Sequence, residues 1–254
     1  MKLIVDNKET NQSSNKTVLI TGATSGIGKE IAITFAREGW NVICHYSSSQ
    51  EKANKLKKLI KNYNVDYYGI KADFSLQDHI QDFVNKLDEF NIDSVVNNAG
   101  TYIVNKHFSE LTIDEISKTL LVNVVAPSMI TGKLFTGMKE RRFGRVVNIS
   151  SIAAKYGGSG YSMHYGCSKR ALEGLSKTLA KEGAEHNILA NTIRAGVIDT
   201  DFHKKFPKDM AKRIEQIPLK KMGQPDDIAG IAYYLGSEKN SFITNEVVTI
   251  SGGE

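Results

Sequence analysis

The 254-residue chain reads as an α/β protein, a doubly wound parallel sheet of about seven strands with helices on both faces. Three observations predict this. Apolar runs rich in Val and Ile alternate with longer stretches of helical period. Several of those runs are nearly continuous, as strands covered on both faces are. No repeat, low-complexity tract or proline-rich linker divides the chain. Strand–helix alternation implies right-handed crossovers, and therefore parallel order.

Strands are expected at 17–21, 41–46, 65–72, 93–97, 144–150, 187–194 and 246–250. The first is the run Thr17-Val18-Leu19-Ile20, which ends on a glycine-rich turn; the fourth ends on Asn97-Asn98-Ala99-Gly100. The fifth carries Val146-Val147-Asn148-Ile149 into Ser150-Ser151. Helical period covers 27–38, 51–62, 76–90, 112–139, 162–184 and 225–236, and two of these are long, with apolar residues beyond one stripe. Residues 199–222 break the rhythm after a strand end. Long insertions there often cover ligands, so they are expected to form a substrate lid.

Residues 1–15 are polar, with Asp6 and Glu9, and Leu3-Ile4-Val5 is too short for a signal-peptide core. They read as a loose tail, leaving 16–254 as one catalytic domain. No segment is expected to span a membrane. With 41% hydrophobic and 24% charged residues the composition is that of a globular protein with a sizeable core. Cys44 and Cys167 share no metal-ligand spacing and read as reduced thiols of a cytoplasmic protein. The net charge of +5 comes from scattered lysines without an aromatic-basic motif, which argues against a nucleic-acid partner.

Between the first strand and the first helix lies Thr21-Gly22-Ala23-Thr24-Ser25-Gly26-Ile27-Gly28. Gly22 permits a tight turn, while Gly26 and Gly28 allow close backbone approach to a pyrophosphate and close helix–strand packing. The helix start offers N–H groups and its positive dipole end to phosphate. This is a Rossmann-type dinucleotide cradle. An Asp or Glu at the end of the second strand would hold the 2′-hydroxyl of NAD. From Trp40 to Gln50 there is none; His45, Ser47, Ser48 and Ser49 stand there, with Lys29 near the cradle. NADP(H) is therefore expected in preference to NAD(H).

Three pairs fit Tyr-x-x-x-Lys: Tyr67 with Lys71, Tyr102 with Lys106, and Tyr165 with Lys169. In a strand, four residues span roughly 13 Å, which separates the first pair. The second falls in a loop. The third lies on a helix, where positions four apart share a face. The Lys169 ammonium is expected to lower the Tyr165 pKa and so ready the phenol as proton donor to a carbonyl receiving hydride. Ser151 would hydrogen-bond the carbonyl oxygen as charge develops, with Ser150 its rival, because adjacent strand residues face opposite ways.

Together these residues resemble the short-chain dehydrogenase/reductase family over residues 16–253. The further marks are Asp73 after the third strand, Asn97-Asn98-Ala99-Gly100 and Asn123. The resemblance implies that Asp73 and Phe74 contact adenine, that Asn98, Ala99 and Gly100 line the cofactor, and that Lys169 also binds the nicotinamide ribose. It further implies that Asn123 anchors a proton-relay water at a helix irregularity, that Ile198 and Thr200 hold the carboxamide, and that the chain is a homotetramer, with a dimer next. Within the family the chain looks most like 3-oxoacyl-acyl-carrier-protein reductases, through residues 142–151, 223–229 and the ending Ser251-Gly252-Gly253. An acyl carrier protein would then be a partner, with Arg141 and Arg142 as its docking cations or simply a solvated helix end. Three departures stand out: Ala195-Gly196 for Pro-Gly, Asn245 for a glycine, and the apparently flexible Gly157-Gly158-Ser159-Gly160 beside the substrate. A keto-sugar, polyol or other small alcohol is the alternative substrate, with Tyr102, Tyr161, His164 and residues 199–217 as pocket residues. A nucleotide-binding regulator without turnover is the third reading, disfavoured by an intact Ser151, Tyr165 and Lys169.

Overall fold

The computed structural model describes residues 15–202 and 209–254; nearly all of the expected tail, and positions 203–208 of the expected lid, lie outside these. The chain runs β1 (Thr17–Ile20), α1 (Gly26–Arg37), β2 (Asn41–Tyr46), α2 (Gln50–Ile60), β3 (Tyr67–Lys71), α3 (Gln77–Lys86) and β4 (Ser94–Asn97). It continues through α4 (Ile113–Leu120), a π-helical turn (Leu121–Val125), α5 (Ala126–Glu140), β5 (Gly144–Ser151), α6 (Ala153–Tyr156) and α7 (Met163–Gly183). The last elements are β6 (Ile188–Ala195), α8 (Met210–Glu215), α9 (Pro225–Gly236) and β7 (Val247–Ile250). Seven parallel strands pair in the order β3-β2-β1-β4-β5-β6-β7. Strand order reverses between β1 and β4, so a crevice opens there, beyond the strands' C-terminal ends.

Alternation along each strand builds a core on both faces. Val18, Ile20, Val42, Val147 and Ile149 point to the side of α1 and α9, where Phe35 meets Trp40 and Tyr233 edge-on. Leu19, Ile43, Val95 and Val146 point to the side of α3, α5 and α7, against Phe83, Ile130, Met138 and Leu179. Each such side chain, fully buried, contributes about 1.5–3 kcal/mol, and their two-sided burial explains the nearly continuous apolar runs. The sheet also carries a buried polar line that hydropathy does not signal. Asn97 Nδ2 donates to Asn148 Oδ1 at 2.8 Å, Asn148 Nδ2 to Ser176 Oγ at 2.8 Å, and Ser176 and Thr192 share a 2.7 Å bond. It ties β4, β5, α7 and β6 together just below the crevice.

Helix starts follow their capping residues. Thr112 and Glu115 form a reciprocal box at α4, and Gln224 with Asp227 does so at α9, where Pro225 occupies the first turn. The stretch Ile113–Glu140 is long and apolar enough by composition to cross a membrane, contrary to the sequence expectation. Here its Ala126, Ile130, Leu134 and Met138 are core residues against the sheet.

Two further expectations are corrected. Residues 157–160 are pinned: Gly157 N–H donates to Ala153 at 2.9 Å, Ser159 N–H to Ser162 Oγ at 3.0 Å, and Gly160 accepts from Phe108 N–H at 2.8 Å. Arg141 and Arg142 precede β5 and so sit at the N-terminal end of the sheet, roughly 23 Å along the strand from Ser151. There Arg141 donates to Ile92 and Arg142 to Glu185, away from the crevice. Asn245 does adopt the left-handed backbone expected of it, with φ 65°.

Candidate active site

A cleft of about 1250 Å³ runs along the C-terminal strand ends. Its floor is the glycine turn. Gly22 and Gly26 have φ of 65° and 51°, a region open to glycine without strain. Thr21 Oγ1 accepts the N–H groups of Asn98 and Ala99 at 3.0 and 2.9 Å, and Asn98 Nδ2 donates to the carbonyls of Thr21 and Gly22 at 2.9 and 3.2 Å. The end of β4 is thus laced to the turn after β1. A side chain at Gly28 would place Cβ 2.4 Å from both Gly22 O and Asn98 Nδ2, so this glycine serves packing.

Gly22, Thr24, Ser25, Gly26 and Ile27 line the cleft. Ala23 and Gly28, also expected among the cofactor-binding residues, are buried and do not line the cleft. Ser25 makes no side-chain cap to α1 and no acid occupies that first turn. The helix start therefore presents N–H groups and the positive dipole end, as an anionic pyrophosphate requires.

At one end of the cleft stand Ser47, Lys52, Asp73 and Phe74. Lys29 is exposed and lies outside it. His45 also differs from expectation, because neither ring nitrogen is available to a phosphate. Nδ1 accepts Gly22 N–H at 3.1 Å, and Nε2 lies 2.9 Å from the Ala72 carbonyl, which requires the proton on Nε2. The ring stacks on Phe74 with centroids 3.8 Å apart. Burial drives its pKa down to about 4, so the ring stays neutral and braces the glycine turn against β3.

At the other end, Ser151, Tyr165, Lys169, Ile198 and Thr200 line the cleft, and Asn123 lies behind it. The Ser151 side chain stands beside the Tyr165 phenol, its Oγ accepting Ala153 N–H at 3.2 Å. Ser150 also lines the cleft, but its hydroxyl donates to Glu173 Oε1 at 2.9 Å, which favours Ser151 as the serine left for a ligand. Lys169 is 3% exposed and donates from Nζ to the Ile149 carbonyl at 2.8 Å. Gly100 leaves it room, since a Cβ there would fall 2.7 Å from Nζ. The expected irregularity is present as the π turn. It turns Asn123 inward, where Oδ1 accepts Thr101 N–H at 2.9 Å and Nδ2 donates to Thr101 O at 2.7 Å and Ser168 Oγ at 2.8 Å.

The expected depression of the Tyr165 pKa is not found. Burial raises it to about 12, with the Ser151 hydrogen bond opposing. Lys169 is buried too, which lowers its own pKa to about 8, and its Nζ lies 5.8 Å from the phenol ring centre. In a low-dielectric wall, desolvation of both groups outweighs their attraction.

The rival pairs are engaged elsewhere: Tyr67 donates from its hydroxyl to Ala53 O at 3.1 Å, and Lys106 pairs with Glu115 at 2.6 Å. Tyr102, however, lines the cleft, its ring 5.5 Å from Tyr165 and 5.7 Å from Phe202. Tyr161 lines it as well, whereas His164 is buried outside it. From the region after β6, Thr200, Phe202, Arg213 and Gln216 reach the cleft, so the described parts of the expected lid form a wall. Tyr102 and Tyr161 thus stand in the pocket as expected, whereas the bracing role of His45 had no sequence signal beyond proximity to a strand end.

The comparisons agree with this geometry. A family model described as enoyl-(acyl carrier protein) reductase matches residues 22–254. The uncharacterized oxidoreductase YmfI of Bacillus subtilis is 34% identical over 244 residues, covering 94% of this chain and 98% of the relative. The 3-oxoacyl-(acyl-carrier-protein) reductase FabG of Aquifex aeolicus is 33% identical over 243 residues, covering 94% and 96%. A crystal structure of a 3-oxoacyl (acyl-carrier-protein) reductase from Agrobacterium tumefaciens with NADP bound superposes with a TM-score of 0.86 at 27% identity, over 94% of each chain.

Proposed function

The chain belongs to the short-chain dehydrogenase/reductase family, and from that premise we propose that it is an NADPH-dependent reductase of a ketone, with a 3-oxoacyl thioester as substrate. One observation carries the reading: the hydroxyls of Ser151 and Tyr165 share a cleft with Lys169 and a glycine turn suited to pyrophosphate. The turn, the uncapped α1 start and the acid-free end of β2 fit NADP(H).

Gly22, Thr24, Ser25, Gly26 and Ile27 would receive the pyrophosphate, Phe74 the adenine side, and Lys169 with Asn98 to Gly100 the nicotinamide side. Bound NADPH supplies hydride to the carbonyl carbon. Ser151 then steadies the developing charge on the carbonyl oxygen with its hydroxyl, and Tyr165 gives that oxygen a proton. Lys169, held by the Ile149 carbonyl, keeps a positive charge near the phenolate so formed. Asn123, fixed between Thr101 and Ser168, stands where a proton can be returned toward Lys169. Tyr102 and Phe202 exclude water from the phenol.

The thioester rests on the relatives named 3-oxoacyl reductases, and delivery by an acyl carrier protein is part of the proposal. So is a homotetramer, for which the exposed Val125 and Met129 of the long helical stretch offer apolar contact. The setting proposed is cytoplasmic, with Cys44 and Cys167 as free thiols. The test is NADPH oxidation with acetoacetyl thioesters, keto-sugars and diketones, beside Tyr165→Phe. Thioester turnover that falls about 10²–10⁴-fold in the variant is expected. Turnover of a keto-sugar with none of the thioester would replace the substrate, and undiminished turnover in the variant would remove Tyr165 from its role.

A further inference from the structure

We propose that Lys52 recognises the 2′-phosphate of the dinucleotide and is the residue that sets the preference for NADPH over NADH. The proposal rests on the dinucleotide reading above and adds the group that discriminates. In an open α/β sheet the adenosine ribose lies beyond the end of the second strand. Here β2 ends at Tyr46, and the side chains of Ser47 and Lys52 both line the cleft beyond it.

Local structure holds Lys52 in that place. Ser49 caps α2, its Oγ accepting Lys52 N–H at 3.2 Å, so Lys52 is fixed on the first turn. The Tyr46 hydroxyl donates to Gln50 Oε1 at 2.5 Å, bracing the start of α2 against the end of β2. The Lys52 charge is also left uncompensated. Its neighbour Glu51 pairs with Lys55 at 2.7 Å, and among the described residues Lys52 forms no ion pair. Asp73, the acid at this end of the cleft, is turned into its own loop, accepting Ser75 N–H at 2.9 Å and Ser75 Oγ–H at 2.7 Å.

The other candidates are removed by the same geometry. His45 spends both nitrogens on Gly22 and Ala72, and Lys29 lies outside the cleft. Among the described residues, the remaining cations of the cleft wall are Lys169, buried beside Tyr165, and Arg213, paired with Glu254 at 2.5 Å. A lysine on a flexible four-carbon stem beside a serine hydroxyl suits a phosphate monoester, which needs a point charge and a donor. A ribose 2′-hydroxyl draws little from either.

The experiment is equilibrium titration of the full chain with NADPH, with NADH, and with 2′,5′-ADP as competitor, followed by nicotinamide fluorescence. Lys52→Ala is expected to weaken NADPH and 2′,5′-ADP about 10–100-fold while NADH changes less than about twofold, because charge-assisted hydrogen bonds contribute on that scale. Lys52→Arg should retain the NADPH preference, and Lys29→Ala should leave both affinities unchanged. Added salt should reduce the preference in the wild type more than in Lys52→Ala. An unchanged NADPH-to-NADH ratio in Lys52→Ala, or an equal loss for both nucleotides, would overturn the assignment to Lys52 while leaving the dinucleotide reading standing. Failure of the unaltered chain to bind either nucleotide would instead sink that reading, and this proposal with it.

Discussion

Glu173 on α7 receives Arg194 of β6 on both carboxylate oxygens, Nε to Oε1 at 2.9 Å and a terminal nitrogen to Oε2 at 2.8 Å. Ser150 of β5 joins the pair at 2.9 Å, and the Glu173 side chain is only 4% exposed. Each member neighbours the cleft: Ser150 precedes Ser151, Arg194 precedes Ala195, and Glu173 lies one helical turn beyond Lys169. The ion pair anchors a strand end that lacks the fixed φ of a proline.

Removing one partner leaves a buried charge without its counterion. Glu173→Ala is expected to lower stability by about 3 kcal/mol, which in a chain of this size lowers Tm by roughly 10 °C. Replacing both residues by Leu should restore most of that loss. Denaturant unfolding of the three variants checks this, and equal losses in the single and double variants would count against the pair.

The pH dependence follows from Lys169. Burial lowers its pKa to about 8, so its charge is lost as pH rises through that value. Reductive kcat/KM should decline above about pH 8 and the decline should be missing from Lys169→Met, which will be slow at every pH. The same shift makes its burial most costly below pH 8, relieved as pH rises toward the unfolded value of about 10.4. A profile flat through pH 8–9 in the native protein would contradict the assignment.

His45 titrates in the opposite range. Its folded pKa of about 4 lies below the unfolded value near 6.5, so the unfolded chain binds the extra proton between them. Stability is then fully present above pH 6.5 and falls by about 3 kcal/mol as pH drops to about 4. His45→Phe should remove this component of the slope, and should weaken dinucleotide binding by freeing Gly22 N–H. Chemical denaturation at pH 4.5 and 7 measures the first effect, and nucleotide titration the second.

Gly28→Ala tests the cradle by shape alone. The added methyl would stand 2.4 Å from the Gly22 carbonyl and from Asn98 Nδ2, so the turn must move. Loss of dinucleotide binding is expected, with a stability loss of about 1–3 kcal/mol from overpacking. Unchanged binding would show that the turn tolerates displacement.

Much of the architecture was legible because it depends on local pattern. Two-sided burial made the apolar runs nearly continuous, glycines marked the turn after β1, and helical spacing separated Tyr165–Lys169 from its rivals Tyr67–Lys71 and Tyr102–Lys106. The Asn123 irregularity was legible only by resemblance, since nothing in Leu121-Val122-Asn123-Val124 shows a π turn by itself. The charge balance of the site was misread for a physical reason. Spacing four residues apart brings Lys169 to the face of Tyr165, but the depth at which both are desolvated depends on what packs around them.

Sequence by itself determined the parallel sheet, the glycine turn after β1 and the candidate side chains of the cleft, because each follows from neighbours within a turn or a strand. Tertiary structure alone decided which nearby groups are spent on the fold and which remain for a ligand. His45 and Lys52 stand seven residues apart and both line the cleft, yet His45 is locked between Gly22 and Ala72 while Lys52 forms no ion pair among the described residues. That division is set by contacts 23 and 27 residues distant along the chain, which no local pattern carries.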